Sequence, residues 1–238
     1  MIPLVGRISV WGDSLLKGVA LDEIQGRYAT LENSVTVQCE KLGLRMDNHS
    51  RFGSTITKGW RNLTQALARG VECDALLIEF GGNDCDFDWA AVAEDPSAPH
   101  VPHTPIEVFK RTLGDMLDAV RKKGLEPILM SLPPIDAERY FRWITRAGLN
   151  KENILRFLGD VGHIYRAQEQ YSVAVTNLAL ERRCRYVDVR GAFLDQPVLG
   201  DLLCIDGIHP NARGHTVMRE ALETYLRRFL PGRRDGAV

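Results

Sequence analysis

Asp206-Gly207-Ile208-His209-Pro210 sets a carboxylate and an imidazole three residues apart near the end of this 238-residue chain. Near its start, Gly12-Asp13-Ser14 places a hydroxyl directly after an apolar run. A serine hydroxyl is a poor nucleophile on its own and needs a base within hydrogen-bond reach. His209 suits that task, because an imidazole with an ordinary pKa near ~6.5 accepts and returns a proton around neutrality. Asp206 can reach the other ring nitrogen if Gly207 permits a tight turn, fixing the tautomer and stabilising the imidazolium. Nucleophile, base and orienting carboxylate are the three parts of an acyl-transfer site. Gly53 and Asn83 lie between the two blocks, and both are able to donate hydrogen bonds to an oxyanion.

Taken together, four blocks carry a family resemblance: Gly12-Asp13-Ser14-Leu15, Arg51-Phe52-Gly53-Ser54-Thr55, Gly81-Gly82-Asn83-Asp84 and Asp206-Gly207-Ile208-His209-Pro210. In order and spacing they resemble the GDSL esterases and lipases in their SGNH-hydrolase form, over nearly the whole chain. The resemblance implies catalysis by Ser14, Asp206 and His209. It also implies an oxyanion hole made of the Ser14 and Gly53 backbone N–H groups and the Asn83 amide. Asp13 and Asp84 then hold their loops. The family often has a small polar residue where Leu16 stands, a departure that bears on substrate preference and leaves the triad intact.

These groups are far apart in sequence, so the elements must gather them. Ile8–Trp11, Ala75–Phe80, Pro127–Ser131 and Arg185–Val189 are short apolar or β-branched runs, with a weaker one near Arg45–His49. The run at Ala75 is nearly continuous in apolar character, as in a parallel strand buried on both faces. Helical spacing links Phe109, Leu113, Met116, Leu117 and Val120, and also Met218, Leu222, Tyr225, Leu226 and Phe229. A third helix covers roughly 163–182, and Asn211 is placed to cap the last one. Repeated strand-then-helix units imply a parallel sheet covered on both faces. The expected fold is a three-layer α/β/α sandwich, flavodoxin-like, with a central parallel sheet of about five strands. One domain spans 1–238. Such a sheet binds its ligand beyond the carboxyl ends of its strands, and Ser14, Gly53 and Asn83 each follow a strand.

Two stretches read as insertions able to cover the substrate. Residues 85–105 carry Asp86, Asp88, Glu94, Asp95, Phe87, Trp89 and four prolines, with no Lys or Arg. Their acidity would disfavour anionic substrates. Residues 134–162 carry Tyr140, Phe141, Trp143 and Phe157, as a small helical cap or as ordinary core packing.

Composition narrows the classes. The net charge is -1, with 45% hydrophobic and 26% charged residues, so nothing global recruits nucleic acid or a membrane. Arg227, Arg228, Arg233 and Arg234 flank a helix end, where cations complement the dipole. No run approaches the ~20 apolar residues of a membrane span. Cys39, Cys73, Cys85, Cys184 and Cys204 are scattered without a CxxC pair and read as reduced thiols of a cytoplasmic protein. No Walker A or GxGxxG pattern supports a nucleotide cofactor. His100 and His103 in a proline-rich loop are a poor metal set, and His215 is read as facing a neighbouring strand or solvent. The expectation is therefore a hydrolase with no cofactor and no metal, acting on a small-molecule acyl ester. Short-chain acyl groups are favoured, O-acetyl groups on carbohydrates among them. A thioesterase or lysophospholipase with the same triad, or a catalytically idle binding module, are the alternatives. The oligomeric state stays open.

Overall fold

A computed structural model describes residues 6–31 and 44–228. Cys39, Phe229, Arg233 and Arg234 lie outside the described residues.

Five strands form the central sheet: β1 (Arg7–Trp11), β4 (Arg45–Asn48), β5 (Ala75–Ile78), β6 (Glu126–Met130) and β7 (Arg185–Val187). Every pairing in it is parallel, in the order β4-β1-β5-β6-β7. Counting these strands alone along the chain, the order is 2-1-3-4-5, the flavodoxin-like arrangement. Side chains alternate between the faces, as a period of two demands. Ile8, Val10, Leu77, Ile128 and Met130 enter one core, whereas Trp11, Leu76, Ile78 and Leu129 enter the other.

Helices cover both faces. The second core is closed by α2 (Ile56–Arg69), α4 (Ile106–Lys122) and α7 (Gly162–Glu181). Phe109, Leu113, Met116, Leu117 and Val120, the stripe read from spacing, are all buried on α4. The first core is closed by α8 (Val189–Leu194) and α9 (Ala212–Arg227), through Phe193, Met218, Leu222 and Leu226. Asn211 caps α9 as expected, its side chain accepting from the Arg213 and Gly214 N–H groups.

The two insert-like stretches are helical in part and pack on one another. Residues 85–105 contain α3 (Trp89–Glu94); residues 134–162 contain α5 (Ala137–Thr145) and α6 (Lys151–Leu158). Trp89, Val92, Tyr140, Phe141, Ile154 and Leu158 make a third apolar cluster beside the sheet. An element absent from the sequence reading is a small antiparallel hairpin of β2 (Val19–Asp22) and β3 (Arg27–Thr30), outside the main sheet. A single helical turn, α1 (Ser14–Lys17), leads into it from β1.

Candidate active site

The sheet order reverses around β1, which lies between β4 and β5, and open α/β sheets bind ligands at that crevice. Ser14 opens α1 directly after β1. Asp13 caps that turn by accepting from the Leu15 N–H at 2.9 Å, which presents Ser14 at a fixed angle. Gly53 follows β4 at φ +66, with open space where a Cβ would stand. Asn83 follows β5.

His209 and Asp206 come from the loop before α9. Gly207 sits at φ +77, and a Cβ there would fall 2.5 Å from the Asp136 carbonyl oxygen. Only glycine fits this turn without strain. The turn folds Asp206 back so that its Oδ1 accepts the N–H groups of Ile208 and His209, each at 3.1 Å. Its Oδ2 lies 2.7 Å from His209 Nδ1, and His209 Nε2 lies 3.0 Å from Ser14 Oγ. Ser14, His209 and Asp206 thus form one hydrogen-bonded chain, with all three side chains buried.

Electrostatics assigns the donors. Burial would raise the Asp206 carboxyl, but the His209 hydrogen bond and charge and two backbone N–H groups outweigh it and hold the carboxyl below its usual range. An ionised carboxylate only accepts, so Nδ1 carries the proton. In the neutral ring Nε2 is then bare and accepts from the Ser14 hydroxyl, the arrangement a general base requires.

Asn83 Nδ2 donates to Asp13 Oδ2 at 2.9 Å and to the Ser54 carbonyl at a longer 3.3 Å. Asp13 therefore does two tasks, capping the serine turn and orienting the amide. Beneath it lies Glu79, fully buried, with neither carboxylate oxygen matched to a donor. Burial and the Asp13 charge push the Glu79 carboxyl well up. Asp84 anchors its loop from below, both carboxylate oxygens accepting the Ile56 N–H at the start of α2.

A cavity of about 80 Å3 opens beside Ser14, Asn83 and His209. Leu132, Pro133, Ile164 and Ile208 give it apolar walls, and Phe87, Ile135 and Leu158 bring both inserts to its lining. Asp86 also lines it, but its charge is not free. Tyr140 OH and Trp89 Nε1 donate to it at 2.6 and 2.8 Å, and burial pushes its carboxyl up.

The model of the GDSL-like lipase/acylhydrolase family matches residues 10–217. The chain belongs to that family. No curated protein matches this GDSL-like chain, but solved structures share its fold. A lipase/acylhydrolase from Enterococcus faecalis superposes with a TM-score of 0.65 at 18% identity, over 96% of this chain and 100% of the other. A catalytic mutant of an acetylxylan esterase from Geobacillus stearothermophilus gives 0.65 at 18%, over 98% and 99%. The protein called TesA gives 0.60 at 19%, over 94% and 99%.

The other residues singled out in the sequence have definite places in this GDSL-like hydrolase. His100 and His103 take separate partners, the Asp95 carbonyl at 2.7 Å and the Asn83 carbonyl at 3.1 Å. Among the described residues no group of three or more His, Cys, Asp and Glu is gathered as a metal set. His215 is buried and meets the Val19 carbonyl of β2 at 3.0 Å. Cys73, Cys85, Cys184 and Cys204 are free thiols. No described helix is long and apolar enough to cross a membrane. Leu16, where the family often has a small polar side chain, is fully buried in the first core. Two residues of the site carried no signal in the sequence: Glu79, hidden inside a strand-like run, and Tyr28 of β3, whose hydroxyl donates to Asp206 Oδ2 at 2.9 Å.

Proposed function

We propose that this GDSL-like acylhydrolase cleaves carboxylic esters of short acyl groups through a Ser14 acyl-enzyme. The observation that carries the reading is the continuous chain from Ser14 Oγ through His209 to Asp206, at 3.0 and 2.7 Å. Ser14 Oγ attacks the ester carbonyl carbon while His209 Nε2 takes its proton. The carbonyl π pair moves to oxygen, giving a tetrahedral oxyanion. Three donors receive it: the Ser14 N–H, which as the first of α1 has no intrahelical acceptor, the Gly53 N–H, and Asn83 Nδ2. Asn83 exchanges its long bond to the Ser54 carbonyl for the oxyanion, while its Asp13 bond keeps the amide in place. Collapse of the intermediate breaks the bond to the alcohol oxygen, which leaves with the proton from His209. Water then attacks the acyl-serine, again deprotonated by His209, and releases the carboxylic acid and free Ser14.

Leu132, Pro133, Ile164 and Ile208 offer an acyl group an apolar wall directly beside Ser14. The inserts at 85–105 and 134–162 wall that space. Acetylxylan, the substrate in the name of the Geobacillus protein, is an ester of this class. The intact Ser14–His209–Asp206 chain speaks against an idle binding module.

The test is a panel of acyl esters and thioesters from acetyl to palmitoyl, with acetylated sugars and a lysophospholipid, on purified wild type and Ser14→Ala. Turnover should peak at the shortest chains and vanish in the variant, and a fluorophosphonate should label only the wild type. Undiminished hydrolysis by a folded Ser14→Ala protein would sink the serine mechanism. A peak at long chains would move the reading to the lysophospholipase or thioesterase alternative.

A further inference from the structure

We infer that Tyr28 is a positioning residue for this site: its hydroxyl occupies the last acceptor position of the Asp206 carboxylate and limits how strongly that carboxylate draws on His209. The inference rests on the Ser14–His209–Asp206 reading above and extends it to a fourth side chain.

An ionised carboxylate offers about four lone-pair positions, and the Asp206 side chain fills them. Oδ1 accepts the Ile208 and His209 N–H groups at 3.1 Å each, and Oδ2 accepts His209 Nδ1 at 2.7 Å and Tyr28 OH at 2.9 Å. Asp206 is fully buried. Three of these donors belong to its own turn. The fourth arrives from 178 residues away, so it constrains the carboxylate plane from outside the loop.

Tyr28 is delivered by a purpose-built support. β3 pairs with β2, opposite Leu21 in the register. The hairpin is tied to the catalytic loop twice more: Leu21 N–H donates to Cys204 Sγ at 3.4 Å, and Ile205 N–H donates to Glu23 Oε1 at 3.0 Å. The Tyr28 ring also packs on the imidazole, centroids 4.8 Å apart, and on Phe52 at 5.2 Å. Ring and hydroxyl therefore act on His209 by separate routes. The ring limits tilt, and the hydroxyl takes electron density from the oxygen that faces Nδ1. Burial, with the Asp206 charge, holds the phenol far above its usual range, so it remains a donor throughout the working pH range.

Other charged or titratable groups face this cluster from every side. They are Asp13 of the serine turn, His215 of α9, Cys204 of the loop, Glu23 of the hairpin, and Arg139 and Arg146 of the α5 segment. Tyr28→Phe leaves all of these side chains in place; it removes the hydroxyl's bond to Asp206 together with its hydrogen bond to Trp143, and Trp143 touches neither Asp206 nor His209 through that bond.

The experiment measures kcat and KM against pH for wild type, Tyr28→Phe and Ser14→Ala, with p-nitrophenyl acetate as substrate. Phenylalanine keeps the ring contacts and so the fold, which circular dichroism and the thermal midpoint check. Without the hydroxyl, Asp206 pulls harder on the imidazolium. The acid limb of kcat/KM should move to higher pH by about 0.5–1 unit, the scale of one lost hydrogen bond to a charged group. The plateau kcat should fall by roughly 10-fold, with KM nearly unchanged, as for an interaction made with the reacting machinery. An acid limb that stays in place or moves to lower pH overturns the inference, even if kcat falls, because packing alone would produce that result. Ser14-dependent turnover in the wild type with an unaltered Tyr28→Phe profile defeats this inference alone. Turnover that survives Ser14→Ala defeats the triad reading and this inference together.

Discussion

Asp206 accepts from four donors, Ser14 is presented by a one-turn helix, and Asn83 is held by the same Asp13 that caps that turn. Each side chain to which the proposed mechanism gives a reacting role is thus oriented by a neighbour. This is the preorganisation that lets fixed donors stabilise developing charge without rearranging. Two expectations belong to these residues. Asn83→Ala should lower kcat by roughly 10²–10³, the usual loss for one oxyanion donor, and change KM less. A rise in KM at unchanged kcat would make Asn83 a ground-state binding residue instead. Asp206→Asn should move the acid limb of kcat/KM to lower pH, because a carboxylate that favours the charged imidazole is lost. It should also cut the maximum rate by roughly 10³–10⁴ through loss of tautomer control. A pH–rate profile of the variant checks both, and an unmoved limb would remove Asp206 from the role given to it.

Among the elements, α2 couples the site to the core. Its first N–H is held by Asp84, just after Asn83, and the residues before it carry Gly53. Gly59 lets α2 approach the sheet: a Cβ there would come within 2.3 Å of the Phe80 ring, which is buried at the end of β5. Alanine would gain about 1 kcal/mol of helix propensity but would overpack a rigid ring at a cost of about 1–3 kcal/mol. Gly59→Ala should therefore be destabilising, lowering Tm by roughly 2–4 °C, and should reduce kcat because α2 carries the Gly53 loop at its start. A thermal melt with an assay on the same preparation tests this. A Tm at or above wild type would mean that the ring yields. The hairpin is the other element of consequence. Its strands have four residues each, and β3 is largely exposed. With β3 exposed along most of its length it carries no apolar run, so a hairpin that reaches Asp206 was not visible in the sequence.

Three buried acids, Asp13, Glu79 and Asp84, and the partly buried Asp86 gather near the strand ends that carry the candidate site, all with carboxyls raised chiefly by desolvation. Asp84 is pushed from 3.8 up to about 6. A raised acid binds its proton more tightly folded than unfolded, so its contribution to stability is present at low pH and is lost as pH rises through that window. Asparagine retains an acceptor for the Ile56 N–H but does not titrate. Wild type should thus lose stability relative to Asp84→Asn, by on the order of 2 kcal/mol, between about pH 4 and about pH 7. Denaturant titrations at the two pH values measure this, and a pH-independent difference would contradict it. The sheet, its main helices and the order of the chemical blocks were legible in the sequence. A parallel strand buried on both faces is necessarily apolar, and a Gly207 turn bringing His209 to Asp206 is a local event three residues long. Cavity volume, the Glu79–Asp13 arrangement, the packing of the two inserts on each other and the Tyr28–Asp206 bond were not. Each depends on where separate elements come to rest against the sheet. Residues 178 positions apart leave no pattern in the sequence that fixes the 2.9 Å between them.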